Sequence, residues 1–188
     1  ITAQLLETTD AMEVVNEILI PALDSAGKLF EQGKIFLPQL IQTASVAQAA
    51  FEVIKTTLIE RNAAPVSRGE IVLATVKGDI HDIGKNIVRV LLENYGYTVL
   101  DLGRDVPCQL VADTAKEHGV KLVGLSALMT TTLGAMEETI QLVKQSCPDC
   151  KIVVGGAVLT ADYAEKIGAD FYAKDAMETV AVAKEVVG

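Results

Sequence analysis

Two hydrophobic periods divide the chain. Up to about Asn62 the apolar positions recur at helical spacing. Met12, Val15, Ile18, Leu19, Ala22 and Leu23 form one set, with Asp10 placed as an N-cap and Glu13 three residues on, as in a capping box. Gly33 interrupts the pattern and Pro38 stands where a first-turn proline would. Leu40, Ile41, Ala44, Ala47, Ala50, Phe51, Ile54 and Leu58 then continue an apolar face. A small helical bundle is predicted over residues 1–66, and the stretch from Asn62 to Gly69 reads as a linker to a second domain over 67–188.

Beyond the linker, short β-rich runs alternate with helical ones. Strands are expected at Ile71–Val76, Thr98–Leu102, Leu122–Ser126, Ile152–Val154 and Asp170–Ala173. Helices are expected at Gly84–Asn94, Gln109–His118, Leu133–Gln145 and Ala161–Ile167, with a last one from Met177. Strands separated by helices of this length imply right-handed βαβ units and a mostly parallel sheet. The fold class is therefore α/β: a helical bundle followed by a flavodoxin-like, doubly wound five-stranded parallel sheet of order 2-1-3-4-5.

Composition narrows the function. Half of the 188 residues are hydrophobic, enough for a sizeable core, and the formal charge of −9 argues against nucleic acid and against anionic membrane surfaces. No apolar run approaches a membrane span and nothing at the amino end reads as a signal peptide. Three cysteines do not make a disulfide framework, so a cytoplasmic location is expected. Ile1 opens the sequence inside a helical pattern, which suggests a piece of a longer polypeptide.

In open parallel sheets ligands bind beyond the carboxyl ends of the strands, where strand order reverses. Here the first strand runs into Lys77-Gly78-Asp79-Ile80-His81-Asp82-Ile83-Gly84, the third into Met129-Thr130-Thr131-Thr132, and the fourth into Gly155-Gly156-Ala157. His81 is one of two histidines. Neutral imidazole ligates metals well, and a carboxylate on its other nitrogen fixes the tautomer and raises its basicity. Asp79 can supply that carboxylate, with Asp82 a poorer alternative; a plain loop histidine hydrogen-bonded near a helix start is the structural alternative. One histidine is too few for an ordinary zinc site. A metal arriving with its own equatorial ligands needs only one axial donor, which points to a macrocycle.

Asp79-x-His81-x-x-Gly84, then Ser126-x-Leu128, then Gly155-Gly156 resemble the signature of cobalamin-binding domains. The longer string Gly78 to Ile87 is similar to the methyl-transferring branch, which includes cobalamin-dependent methionine synthase and the small corrinoid proteins of methanogens and acetogens. The resemblance implies that His81 replaces the cofactor's benzimidazole on cobalt. The displaced nucleotide tail then threads past Ser126, Gly155 and Gly156, and Gly84 leaves room for the ring. Gly78, Ile80, Asp82, Leu128, Thr130 and Ala176 join the implied cofactor contacts. His81, Asp79 and Thr132 form the implied relay, Thr132 standing where methionine synthase has a Ser. Lys28 to Pro38 resembles the cap over the methyl-bearing face, with Phe30 and Leu37 as its contacts. The implied activity is shuttling of methyl groups on cobalamin (as methylcobalamin) in one-carbon metabolism such as methionine biosynthesis. The implied partners are methyl-donor and methyl-acceptor methyltransferase domains or subunits and a reductive activation partner. A cobalamin sensor or storage protein, the cofactor domain of a mutase and a metal-free nucleotide binder are the alternatives.

Other features read as structural. Cys147-Pro-Asp-Cys150 has redox spacing but stands alone, Cys108 lies near a helix start, and His118 next to Gly119 reads as a helix-terminal residue. Lys85, unfavourable at a helix start, is expected to face the cofactor's periphery or phosphate.

Overall fold

The computed structural model describes residues 1–60 and 67–188, so most of the linker read at Asn62–Gly69 lies outside the described residues. The chain divides into two compact units: Ile1–Ser67 with Glu93–Gly96, and Arg68–Leu92 with Tyr97–Gly188.

The first unit is helical. It holds α1 (Thr2–Leu5), α2 (Ala11–Glu13) running into a π-helical segment (Val14–Leu19), α3 (Ile20–Glu31) and α4 (Leu37–Glu60). The π segment corrects the expected apolar face. Pro21 has no N–H for the carbonyl four residues before it, and the helix ahead of it widens, with Ile20 donating to the Val15 carbonyl five residues back. The extra residue rotates the face, so that Val14, Val15, Leu23 and Ala26 are buried while Ile18 and Ala22 are exposed. Leu6, Ala11, Val14 and Val15 pack with Ile54 of α4. Leu40, Ala44 and Ala47 are also buried, whereas Ile41 is exposed. The side chains of Met12 and Leu58, placed on these faces, lie outside the described residues. Gly33 turns the chain between α3 and α4 at φ +67°, its amide donating to the Phe30 carbonyl at 2.9 Å. Phe30 and Leu37 flank that turn half-buried, and Phe36 beside them is 70% exposed.

The second unit is a five-stranded, all-parallel sheet in the order β2-β1-β3-β4-β5, as expected. Its elements are β1 (Glu70–Thr75), α5 (Ile83–Asn94), β2 (Thr98–Asp101), α6 (Cys108–His118), β3 (Leu122–Ser126), α7 (Leu133–Ser146), β4 (Lys151–Gly155), α8 (Ala161–Lys166), β5 (Phe171–Tyr172) and α9 (Ala176–Val186). Strands covered on both faces carry near-continuous apolar runs, which is why β1, β3 and β4 are legible as Ile-Val-Leu-Ala, Leu-Val-Gly-Leu and Ile-Val-Val. On one face Val72, Ala74, Val123, Leu125, Ile152 and Val154 pack against residues of α6, α7 and α8. Right-handed connections in this order send α5 to the opposite face, where α9 lies on β3 and β4. Among the described residues no helix is long and apolar enough to cross a membrane.

Candidate functional site

The connections leaving β1 and β3 part to opposite faces of the sheet, which opens a crevice at their carboxyl ends. After Thr75 the chain passes Val76, bridged to Val106, and loops through Lys77 to Asp82. Gly78 takes φ +85°, a conformation that favours glycine, and its amide donates to Asp105 Oδ1 at 2.7 Å. Asp105 is itself held at φ +53°, its amide donating to the Asp79 carbonyl at 2.9 Å. The loop after β2 thus braces the loop after β1. Asp105 escaped the sequence reading; its only signal is that Asp tolerates the left-handed region better than most residues.

Asp79 is fully buried and ties two loops together. Its Oδ1 accepts from the His81 amide at 3.0 Å and lies 2.8 Å from His81 Nδ1. Its Oδ2 accepts from the amides of Leu128 at 2.7 Å and Met129 at 3.2 Å. Thr132 Oγ1 lies 3.1 Å from Oδ2 and 2.8 Å from the Met129 carbonyl, so its single proton has two acceptors in reach. Burial alone would raise this carboxyl's pKa. The amides of His81 and Leu128, the His81 ring and the Met129 amide outweigh it and hold the group well below the usual carboxylate range. An ionised Asp79 fixes the proton of His81 on Nδ1 and leaves Nε2 as a lone-pair donor on a side chain that is 46% exposed. Asp79 and not Asp82 is therefore the carboxylate paired with His81.

Exposed apolar side chains stand in the segments that carry and brace His81: Ile80, Ile83 and Leu128 are 60%, 78% and 42% exposed. Ser126 stands half-buried at the end of β3, in register with Thr75 on one side and Gly155 on the other. Thr75 Oγ1 is buried and has no hydrogen-bond partner among the described residues. Thr130 is exposed at the start of a short 3₁₀ turn, and Ala176 is half-buried at the start of α9, behind Asp175, whose carboxylate accepts from the Glu178 amide at 2.9 Å. A half-exposed nitrogen donor, exposed apolar side chains and an orphaned hydroxyl beside Ser126 fit a ligand with a metal centre, a broad apolar body and a polar tail. Among the described residues no cluster of three or more His, Cys, Asp or Glu side chains could hold a bare ion, so a metal taken by His81 has to bring its own ligands.

Two glycines of the motif differ. A side chain at Gly84 would meet nothing within 4 Å, in keeping with an open helix start. Gly156, read as clearing a path for the tail, is first required by the chain itself. It has φ +134°, and a Cβ there would collide with the backbone of Ala127. Lys85 is a correction. Its side chain is buried and pairs with Asp101 Oδ1, with Asn86 Oδ1 at 3.1 Å, and so does not face outward toward a cofactor.

The remaining features are structural. His118 ends α6 before Gly119 (φ +59°) and meets Glu70 Oε2 at 3.0 Å. Cys108 is buried, 3.5 Å from the Ala135 carbonyl. Cys147 and Cys150 are free thiols in a turn; burial, with Cys147 and Asp170 adding to it, pushes the Cys150 thiol up to about 12.

Two family models match this chain. The model of the B12 binding domain matches residues 69–181, and a second B12 binding domain model matches residues 1–55. The chain is 43% identical over 180 residues to dimethylamine corrinoid protein 1 of Methanosarcina acetivorans, covering 95% of this chain and 84% of that protein. A cobalamin-binding protein from Desulfitobacterium hafniense superposes with a TM-score of 0.74 at 33% identity, over 100% of this chain and 97% of that one. The methanol:cobalamin methyltransferase complex MtaBC from Methanosarcina barkeri gives a TM-score of 0.83 at 28% identity, over 97% of this chain and 70% of that one. The two Methanosarcina relatives lie on the methanogen corrinoid side of the resemblance, and methionine biosynthesis finds no support. The chain belongs to the B12-binding domain family, has cobalamin as its cofactor, and groups with the small corrinoid proteins.

Proposed function

We propose that this chain carries methyl groups within a methylamine methyltransferase system, on cobalamin held base-off through His81 Nε2. The observation that carries the reading is the buried Asp79 carboxylate 2.8 Å from His81 Nδ1, with the imidazole half-exposed and Ile80, Ile83 and Leu128 exposed in the same segments. Similarity to the dimethylamine and trimethylamine corrinoid proteins supports the class of methyl source. When bound, cobalamin would supply the methyl-carrying chemistry, which is the cofactor's own.

The chain's own residues orient and tune. Asp79 holds the proton on Nδ1 and so makes Nε2 the better donor. Its other oxygen, engaged by Leu128, Met129 and Thr132, keeps the carboxylate fixed behind the ring. Ile80, Ile83 and Leu128 offer the apolar bed, while Gly84 leaves it uncrowded. Methyl-donor and methyl-acceptor methyltransferases, and a protein that restores the reduced cofactor, are the partners this role requires. Nothing in the site favours the sensor or mutase alternatives.

Electron paramagnetic resonance of the protein loaded with cob(II)alamin tests the ligand. Nitrogen-15 labelling of histidine is expected to change the superhyperfine pattern, and His81→Ala is expected to retain the corrinoid while losing that response. A pattern insensitive to the label, with the cofactor's own base on cobalt, would overturn the assignment.

A further inference from the structure

Thr75 lies outside the sequence motif, yet its surroundings single it out. It ends β1 with no exposed surface, and its hydroxyl oxygen is buried without a hydrogen-bond partner among the described residues. Buried hydroxyls are almost always paired, because an unpaired one forfeits its bonds to water.

The strand register shows on which face of the sheet this side chain lies. Thr75 is opposite Ser126 and Ser126 is opposite Gly155, so the three share one face at the carboxyl edge of the sheet. Val72, Ala74 and Val76 alternate with Thr75 and belong to the core under α6, α7 and α8, which places Thr75 on the other face, that of α5 and α9. One step down the strands Leu73 lies over Gly124, its Cδ2 2.5 Å from where a Cβ would stand, and closes the floor. Thr75, Ser126 and Gly155 therefore form a shelf of small residues above a filled core, with a donor at its buried end.

Resting on the reading of the site as a base-off cobalamin site, we propose that Thr75 is a cofactor-positioning residue whose hydroxyl donates a hydrogen bond to the displaced nucleotide tail. The tail carries acceptors in its ring nitrogen and its sugar and phosphate oxygens. The unpaired hydroxyl is a donor held ready for one of them.

Thr75→Val keeps the shape and removes the donor, and Thr75→Ser restores it. Binding is followed by titration of the visible spectrum with cobalamin and with cobinamide, which has the corrin ring and lacks the nucleotide. Thr75→Val is expected to weaken cobalamin by about tenfold, the loss of one buried hydrogen bond. Cobinamide affinity should be unchanged, and Thr75→Ser should recover cobalamin affinity. The cofactor-free Thr75→Val protein should melt at the wild-type temperature or above, since no bond within the fold is lost. Equal weakening of both corrinoids, no weakening of either, or a lowered melting temperature without cofactor would overturn the proposal. If the wild type takes up cobalamin with its own base still on cobalt, the underlying reading fails instead, and the inference with it.

Discussion

A methyl group built on Gly84 would meet no heavy atom within 4 Å, whereas one on Gly156 would run into the Ala127 backbone. The same residue type in one motif thus answers to different demands, and alanine substitution separates them. Gly84 lies in the first turn of α5 and has no left-handed backbone to preserve. Gly84→Ala is expected to leave the cofactor-free fold intact or to stabilise it by up to about 0.5–1 kcal/mol, the usual helical gain over glycine. It should nevertheless weaken cobalamin uptake, because the added methyl points into space the ring is proposed to occupy. Gly156→Ala must both clash and strain, and is expected to cost roughly 2–4 kcal/mol before any cofactor is added. Urea unfolding of the apo proteins alongside cobalamin titration checks both. If Gly84→Ala binds like the wild type, the open helix start has no part in the site.

At the scale of elements, β2 and α5 are joined by an ion pair that the sequence pattern does not announce. Lys85, with 2% of its side chain exposed, meets Asp101 Oδ1, and Arg89 Nη1 lies 3.2 Å from Asp101 Oδ2. Burial would raise the Asp101 pKa, but Lys85, the Gly103 amide and Arg89 together lower it. A carboxyl depressed in the folded state contributes stability that is complete above its unfolded pKa, about 3.9, and is lost as pH falls through the folded value. Asp101→Asn strands a buried ammonium and is expected to cost about 3–5 kcal/mol near neutral pH, whereas the paired change Lys85→Met with Asp101→Leu should cost much less. The stability gap between wild type and Asp101→Asn should hold from pH 7 to 5 and narrow below about pH 4. A gap constant down to pH 3 in urea unfolding would show that the charge of Asp101 is not its source. The elements themselves were largely legible, because buried parallel strands are apolar runs bounded by glycine and polar loops. The π segment was not: Val14 to Leu19 carries ordinary helical letters, and the shift comes from Pro21 two residues beyond it. At the site Asp79 and His81 could be named from side-chain chemistry, whereas Thr132 followed only from the family resemblance. The amides of Leu128 and Met129, which fix Asp79, leave no mark in a sequence, since every non-proline residue has one. Thr75 was hidden for another reason, as a β-branched residue in a buried strand reads as core.

At the scale of the whole molecule the proposed role asks for two opposed properties: the methyl group has to be guarded in transit and surrendered on arrival. We propose that the sheet unit supplies the lower ligand, His81, and that the helical unit serves as a cover, with Phe30 and Leu37 shielding the methyl-bearing face. Both side chains are half-buried beside the Gly33 turn, so they retain apolar surface beyond what α3 and α4 need for their own packing. A cobalt–methyl bond is cleaved by light into a radical pair, and a close apolar cage favours recombination over escape. Phe30→Ala and Leu37→Ala, made in the full chain, are therefore expected to speed photolysis of the methylated protein in air while leaving corrinoid binding near the wild-type level. Val46→Ala serves as the control, since Val46 is 69% exposed on α4 and its truncation disturbs surface only. Photolysis is followed by the decay of the methyl-form absorbance under constant illumination, with each variant's melting temperature measured in parallel to separate cage opening from unfolding. Rates for Phe30→Ala and Leu37→Ala that match the Val46→Ala control, in proteins that melt normally, would remove both residues from the cover and leave the guarding of the methyl group to the partner proteins.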